Sequence, residues 1–144
     1  MSVRGWNGDR IARKVRAEEK RRIARASLVV NRRAKELLSV SGVGGQIKGG
    51  YAVQGGRGKR IYNAFPSRPG EPPHKQRGTL RANVSTELGD RGGVPFGRIG
   101  PGSLTPYGKF LELGTSRMKP RPWLVRAFRE SYAQIRAILT APIR

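Results

Sequence analysis

Few residues in this chain of 144 are of a type that could carry catalytic or metal-binding chemistry. The one histidine, His74, lies in a proline-rich run, residues 71–75, without a second ligand type nearby. There is no cysteine, so disulfides, thiolate zinc sites and cysteine nucleophiles are excluded. The acidic residues follow neither HExxH nor EF-hand spacing. We therefore expect that the protein is not an enzyme and holds neither a metal nor a cofactor.

The glycine-rich middle of the chain invites a phosphate-loop interpretation, which the spacing excludes. In a loop of the GxxxxGK[ST] type, a glycine stands five positions before the glycine-lysine pair and a hydroxyl residue follows the pair. Here Gly58-Lys59 is followed by Arg60. The position of the first glycine is occupied by Val53.

Charge is the strongest feature of the composition. Thirty Lys and Arg residues stand against nine Asp and Glu, a net charge of +21 that is spread along the chain. Such a field attracts polyanions, of which nucleic acid is the commonest. The alternative is a solvated basic surface that an acidic partner protein neutralises. Contacts to phosphates carry no sequence information, so reading of bases is not expected.

The candidate cations that would face DNA or a partner lie on a predicted helix and in the arm that follows it. They are Arg13, Arg16, Arg21, Arg25, Arg57, Lys59 and Arg60.

The elements that must position these residues begin with one long predicted helix, residues 9–38. Apolar residues recur at steps of three or four, which is typical of an amphipathic helix. They are Ile11, Val15, Ile23, Ala26, Val30, Ala34 and Leu37, with Glu19 as the one polar member of the stripe. Asp9 is the predicted N-cap, and Ser39 and Gly42 mark the end. The rod would be about 45 Å long.

Residues 39–79 differ in kind, because they hold half of the twenty glycines and end in a proline-rich run. A stretch this long is usually functional, or ordered only on binding. Two β-prone pieces, residues 51–53 and 60–62, flank the glycines at 55–58 and predict a hairpin. We expect a Gly/Pro-rich arm or long hairpin within a single domain, residues 1–144.

The rest of the chain predicts a small antiparallel sheet. Residues 80–88 alternate between apolar and polar side chains, with Leu80 and Leu88 at the ends of the apolar face, as in a half-buried strand. Residues 90–93 predict a turn and residues 95–99 a partner strand.

Two helices are predicted after the sheet. Thr105 and Pro106 suit the N-cap and first position of one helix, Gly114 suits its end, and Pro122 suits the start of the next. Two apolar faces are expected: Tyr107, Phe110 and Leu111 on the first, and Leu124, Phe128, Ser131 or Tyr132, Ile135 and Leu139 on the second. The predicted fold class is α+β, a long N-terminal helix and an arm followed by a small antiparallel sheet packed with two C-terminal helices.

Two blocks of sequence carry a resemblance to a known family. The downstream block is Pro106-Tyr107-Gly108-Lys109-Phe110-Leu111-Glu112-Leu113-Gly114-Thr115, followed by Lys119-Pro120-Arg121-Pro122-Trp123-Leu124 and Ala127-Phe128. The upstream block is Ser67-Arg68-Pro69-Gly70-Glu71-Pro72-Pro73-His74-Lys75, followed by Gly78-Thr79-Leu80-Arg81-Ala82-Asn83-Val84. In order and spacing the two blocks resemble the head–tail joining (neck or tail-completion) proteins of siphophages.

The resemblance covers about residues 66–128, and the arm at 41–60 has no counterpart in the family pattern. Arg77 stands where threonine is usual, Asn83 where serine is usual, and Leu113 where phenylalanine is usual. The family residues of fold and assembly map onto Leu80, Tyr107, Leu111, Glu112, Gly114, Thr115, Pro122, Trp123 and Leu124.

The physical roles expected of these residues are structural. Tyr107 and Leu111 would pack on the sheet, and Gly114 would end the helix in a left-handed conformation. Glu112 stands in a basic neighbourhood, and we expect a local salt bridge with Arg117, Lys119 or Arg121 rather than a catalytic acid.

The resemblance implies a structural virion protein at the head–tail junction, assembled in the host cytoplasm. Copies would form a homo-oligomeric ring between the phage connector or adaptor and the tail-terminator or tail-tube proteins. Double-stranded DNA would pass non-specifically through the lumen, and no membrane would be involved. The alternative is a stand-alone basic nucleic-acid-binding protein. A toxin or nuclease would need a carboxylate or histidine cluster, which the sequence does not show.

Overall fold

The computed structural model describes residues 7–40, 51–54, 59–62, 67–75 and 77–143, and for 51–54 and 59–62 it describes the backbone alone. A long N-terminal helix, two-stranded antiparallel sheets and C-terminal helices follow one another along these ranges. The predicted α+β class is confirmed.

The first helix, α1, spans Gly8–Leu37, which confirms the predicted 9–38 within one residue. Asp9 is not its N-cap. Asn7 takes that position without a side-chain hydrogen bond, and Asp9 lies in the first turn, where a negative charge favours the helix dipole. At the other end, the Ser39 hydroxyl donates to the Lys35 carbonyl at 2.6 Å. Gly42 lies outside the described residues.

The apolar stripe of α1 is buried only along the second half of the helix. The buried residues are Arg22, Ala26, Ser27, Val30, Ala34 and Leu37. Ile11 is 53% exposed and Glu19 is also exposed, so the first half of α1 extends beyond the core.

The predicted hairpin within the arm is confirmed. Strands β1 (Tyr51–Gln54) and β2 (Lys59–Tyr62) pair in antiparallel register, with Tyr51 opposite Tyr62.

The predicted strand 80–88 is wrong at its start. A short helix, α2 (Thr79–Ala82), precedes the strand β3 (Val84–Arg91), and Gly78 before it has a positive φ of 79°. Leu80 and Val84 are both buried. Residues four apart also share a face of a helix, so the apolar spacing fits a helical turn as well as a strand.

The second sheet is a two-stranded ribbon of β3 and β4 (Val94–Pro101), with Val84 opposite Pro101 and Arg91 opposite Val94. Both strands extend further than predicted, so the turn shrinks to two glycines with φ values of 60° and 85°. Leu88 was expected on the buried face but is 53% exposed.

The inner face of the ribbon packs on α1. The Asn31 side-chain amide donates to the Thr86 hydroxyl at 2.7 Å. A Cβ at Gly97 would lie 3.2 Å from Ser27 Cβ and would clash with the Ser27 hydroxyl, so α1 and β4 meet at a glycine.

Two helices complete the fold, α3 (Tyr107–Leu113) and α4 (Leu124–Thr140). Helices α1 and α4 run antiparallel, since Arg33 contacts Glu130 near one end and Arg22 contacts the Leu139 carbonyl near the other. The predicted N-cap of α3 is wrong by one residue, since Pro106 takes that position and Tyr107 is the first helical residue. The Thr105 hydroxyl donates instead to the Gly102 carbonyl at 3.3 Å.

The core of the described residues lies where α1, α4 and the ribbon base meet. Its buried members are Ala26, Val30, Ala34, Leu37, Leu38, Leu80, Val84, Trp123, Ala127 and Ile135. Of the face predicted for α4, Ser131 and Ile135 are buried, and Ser131 rather than its alternative Tyr132, 56% exposed, takes the inner position. Contrary to prediction, Phe128 and Leu139 are 49% and 41% exposed. The reason is that α4 meets α1 through the small residues Ala127 and Ser131, which allow close approach and leave the larger side chains outside.

Candidate nucleic-acid interface

Glu112 caps the N-terminus of α4 from α3. Its carboxylate accepts hydrogen bonds from the backbone N–H groups of Trp123 and Leu124 at 2.7 and 2.9 Å, and from that of Val125 at 2.9 Å. These N–H groups have no partner within the helix, and the dipole at this end favours a negative charge. The expected local salt bridge is wrong, since no ion pair of the described residues involves Glu112. Instead Glu112 joins α3 to α4.

Trp123 makes the second link between α3 and α4. Its side chain is fully buried, and its indole N–H donates to the Gly108 carbonyl at 3.2 Å. A Cβ at Gly108 would lie 2.7 Å from Leu80 Cδ1 and 2.8 Å from Pro101 Cβ, so only glycine fits there. Gly108 has a structural role that spacing alone did not reveal.

The loop between α3 and α4 is held by backbone hydrogen bonds. Gly114 ends α3 as expected, and its positive φ of 76° favours glycine, although its ψ of 179° differs from that of a left-handed helical residue. Thr115 and Met118 bond to each other across a tight turn. The Arg121 N–H donates to the Leu111 carbonyl at 2.7 Å. The predicted start of α4 at Pro122 is wrong by two residues, since Trp123 is the N-cap and Leu124 the first helical residue.

The apolar side chains of α3 divide between core and solvent. Leu111, like Leu124 of α4, packs against the buried cluster, as expected. Tyr107 and Phe110 are 42% and 53% exposed, so they do not share the buried face that the sequence predicted for them.

The predicted DNA-facing cations of α1 do not share one face. Arg13, Arg16, Arg21 and Arg25 are all exposed. At about 100° per residue, however, Arg16 and Arg25 are nine residues apart and point in opposite directions. Arg57 lies outside the described residues, and Lys59 and Arg60 are described in β2 by their backbone only.

A different set of cations forms a continuous row on the side of α1 that faces away from the core. Its members, all exposed, are Arg10, Lys14, Arg21, Arg25 and Arg32, and we call them the α1 cation row. Arg10, Arg21 and Arg32 stand eleven residues apart, which is close to three helical turns, so the row runs nearly straight for about 33 Å. The eleven-residue spacing was the sequence signal for this row.

The α1 cation row is largely free of counter-charge within the described residues. Arg21 has a long ion pair with Glu18, at 4.0 Å, and its side chain is 73% exposed. No other member of the row makes a salt bridge to a described residue. A row of this kind suits contact with the phosphates of a nucleic acid.

Other cations are engaged in holding the helices together. Arg33 bonds to Glu36 at 2.8 Å and to Glu130 at 2.7 Å, and Arg126 bonds to Glu130 at 2.8 Å. Hydrogen bonds from Arg126, then from Arg33, lower the pKa of Glu130, and those to Glu36 and Glu130 raise the pKa of Arg33. These residues link α1 to α4, and their charges are paired within the fold.

A cleft of about 470 Å³ opens between the proline-rich loop, α2 and α3. His74 lies in its wall, together with Lys75, Arg81 and Arg121, and none of its described lining residues is acidic.

Within the described ranges, no group of three or more His, Asp or Glu side chains could hold a metal ion. None of the helices described is long and apolar enough to cross a bilayer.

Comparison of the chain with protein-family models, with curated proteins and with solved structures finds no match.

Proposed function

We propose that this protein is a non-enzymatic structural subunit of a tailed-phage virion, forming a ring at the head–tail junction. The observation that carries the proposal is that the residues of the downstream block bind one another. Glu112 caps α4, and Trp123 bonds to Gly108. The block that resembles the head–tail joining proteins therefore connects α3 to α4, and the Glu112 carboxylate within it is hydrogen-bonded to backbone N–H groups.

The surface of the chain supports a role in assembly. Large apolar side chains are exposed on α3, α4 and the ribbon: Leu88, Val94, Tyr107, Phe110, Leu113, Val125, Phe128, Tyr132 and Leu139. A contiguous exposed apolar patch is typical of a surface that contacts another protein, and exposed groups on several elements allow more than one protein neighbour. In the proposed ring these neighbours are other copies, the connector or adaptor, and the tail-terminator or tail-tube proteins.

The α1 cation row supports contact with DNA in the lumen. Cations on a straight helix meet phosphates without reading bases, and salt weakens such contacts strongly. Weak, sequence-blind contact is what a passage for moving DNA requires. In the proposal the assembled protein resides in the virion, after assembly in the host cytoplasm.

The test is cryo-electron microscopy of virions that carry this chain. A symmetric ring of density at the neck that fits α1, α4 and the ribbon is the expected result. Absence of the chain from purified particles would overturn the proposal.

The second candidate function is a stand-alone nucleic-acid-binding protein, which the α1 cation row favours. Its test is binding of the purified chain to duplex DNA and to RNA of random sequence. A tight complex of a monomer or dimer at physiological salt, with no phage partner present, would favour it over the ring.

A further inference from the structure

Within the ribbon and within α3, opposite charges are equal in number. Their opposite charges are Glu87 and Asp90 with Arg91 and Arg98 in the ribbon, and Glu112 with Lys109 in α3. In α1 and α4 the cations outnumber the acids. Copies of a chain with a net charge of +21 repel one another. Contact between copies is therefore least opposed at the ribbon and α3.

The outer face of α3 carries a pair of large apolar side chains. Phe110 and Leu113 are 53% and 66% exposed. They are three residues apart, so they lie side by side on the helix. Gly108, on the opposite side of α3, is buried. We call this pair the α3 knob.

The outer face of the ribbon carries a depression of about 260 Å³ near its turn, large enough for one Phe or Leu side chain. Val94, 67% exposed, and Phe96 line it together with Arg91 and Arg98. The Phe96 ring covers Gly89 on the opposite strand, where a Cβ would lie 2.5 Å from the ring. The two guanidinium groups lie 6.0 and 5.9 Å from the ring centre. We call this depression the ribbon pit.

The α3 knob and the ribbon pit lie at opposite ends of the ribbon. Helix α3 begins beside Pro101, at the ribbon base, since a Cβ at Gly108 would lie 2.8 Å from Pro101 Cβ. Val94 begins β4, seven residues before Pro101 and about 23 Å from it. The knob therefore cannot fill the pit of its own chain. A head-to-tail contact between copies, which closes a ring when the rotation closes, can bring the two together.

We infer that the α3 knob of one copy inserts into the ribbon pit of the next copy. The inference rests on the proposed ring function and names the contact by which copies join. Phe110 and Leu113 bury apolar surface against Val94 and Phe96, and the arginines beside Phe96 also face the incoming Phe110 ring.

The experiment is sedimentation velocity on the full chain over a range of concentrations, at low and high salt. We expect concentration-dependent oligomers that grow stronger with salt, because screening weakens the repulsion between cationic copies. Contacts with DNA respond to salt in the opposite direction.

Two variants test the two halves of the contact. Leu113→Ser alters the knob and Val94→Ser alters the pit, and each should weaken assembly at least tenfold. Neither change alters the net charge or brings a carboxylate beside Arg91 or Arg98, so a change in electrostatics cannot explain a loss of assembly. An equal mixture of the two variants should form heterodimers and nothing larger, because one intact knob and one intact pit remain. Leu28→Ser on α1, at a side chain that is 64% exposed, is the matched control and should assemble like the unmodified chain.

The outcomes separate this contact from the ring itself. If the unmodified chain assembles and both variants assemble equally well, the contact is wrong and the ring remains. If Phe128→Ser on α4 blocks assembly while Leu113→Ser does not, the contact belongs to α4 and the inference is overturned. A chain that stays monomeric at every salt and concentration also overturns it, while the virion map tests the ring independently. Thermal melts followed by circular dichroism verify that each variant is folded.

Discussion

Glu112 shows how one side chain can fix the relation of two helices. Its oxygens accept from the N–H groups of Trp123, Leu124 and Val125, while its backbone belongs to α3. A cap usually comes from the residue just before a helix. Here it comes from eleven residues upstream, and the loop of residues 114–122 closes around it.

Replacement of Glu112 by Ala should destabilise the protein by about 2 kcal/mol, since N–H groups lose a charged acceptor. The stability of Glu112→Gln should lie between that of the unmodified protein and that of Glu112→Ala, because an amide oxygen accepts hydrogen bonds but carries no charge. Urea unfolding measures the loss. The control is Glu87→Ala, which removes an exposed carboxylate that is 3.3 Å from Arg98 and should cost no more than about 0.5 kcal/mol. Equal losses at Glu112 and Glu87 would refute the capping role.

Glu130 should make stability depend on pH in the acid range. Hydrogen bonds from Arg126 and Arg33 lower its pKa in the folded state. Its contribution is therefore present above the unfolded-state pKa and is lost as the pH falls through the lower folded-state value. Solvent screens the ion pairs of Glu130 with Arg126 and Arg33, so their contribution to the free energy of unfolding should stay below about 1 kcal/mol. The measurement is the free energy of unfolding of the unmodified chain and of Glu130→Gln, each at pH 7 and at pH 3. A difference between the two chains that does not become smaller at pH 3 would contradict this role.

At the scale of elements, α1 divides its two faces between packing and charge. The triple variant Arg10→Ala, Arg21→Ala and Arg32→Ala should weaken duplex DNA binding and make it less sensitive to salt. The slope of log K against log salt should drop by up to about 0.9 for each phosphate that the variant no longer neutralises. Fluorescence anisotropy at several salt concentrations measures both effects.

The matched control for the α1 cation row removes the same charge elsewhere. Arg117→Ala, Lys119→Ala and Arg136→Ala change three exposed cations on other elements. An equal loss of binding in both triple variants would mean that net charge, and not the row, carries the interaction with DNA.

The contact between α1 and β4 depends on the absence of a side chain at Gly97. Gly97→Ala should destabilise the protein by about 1–3 kcal/mol, because its methyl group would clash with Ser27. Ser27→Gly in the same chain should restore part of the loss, which a double-mutant cycle measures by urea unfolding. Strictly additive losses would show that the two residues do not meet.

At the scale of the whole molecule, the described residues form a compact core with the first half of α1 projecting from it. The buried residues of α1 begin at Arg22, and a salt bridge of 3.3 Å joins Lys20 to Asp90 of the ribbon. Within the described part of the chain, the helix before Lys20 is held mainly by its own hydrogen bonds. The half that projects carries Arg10 and Lys14 of the α1 cation row.

Hydrogen exchange should therefore differ along α1. Amide hydrogens of residues 11–18 should exchange at least tenfold faster than those of residues 26–37, because local opening there disrupts little tertiary packing. Exchange measured by mass spectrometry resolves the two halves. Uniform protection along the helix would show that another part of the chain covers its first half.

The sequence by itself determined those features that local chemistry dictates. The three-to-four spacing from Ile11 to Leu37 predicted α1, and glycines between β-prone pieces predicted the hairpin at 51–62. Gly114 predicted the end of α3. Each depends on residues close in sequence, whose backbone preferences act without the rest of the fold.

The tertiary structure decided which faces are buried and which polar groups are paired. Ala127, and not Phe128, is buried, because close packing of α4 on the core selects small side chains where the elements meet. Glu112 caps α4, and did not pair with a nearby arginine, because the loop brings the free N–H groups of a helix to it. Such outcomes depend on the distance between elements that lie apart in sequence, and that distance is set only when the core forms.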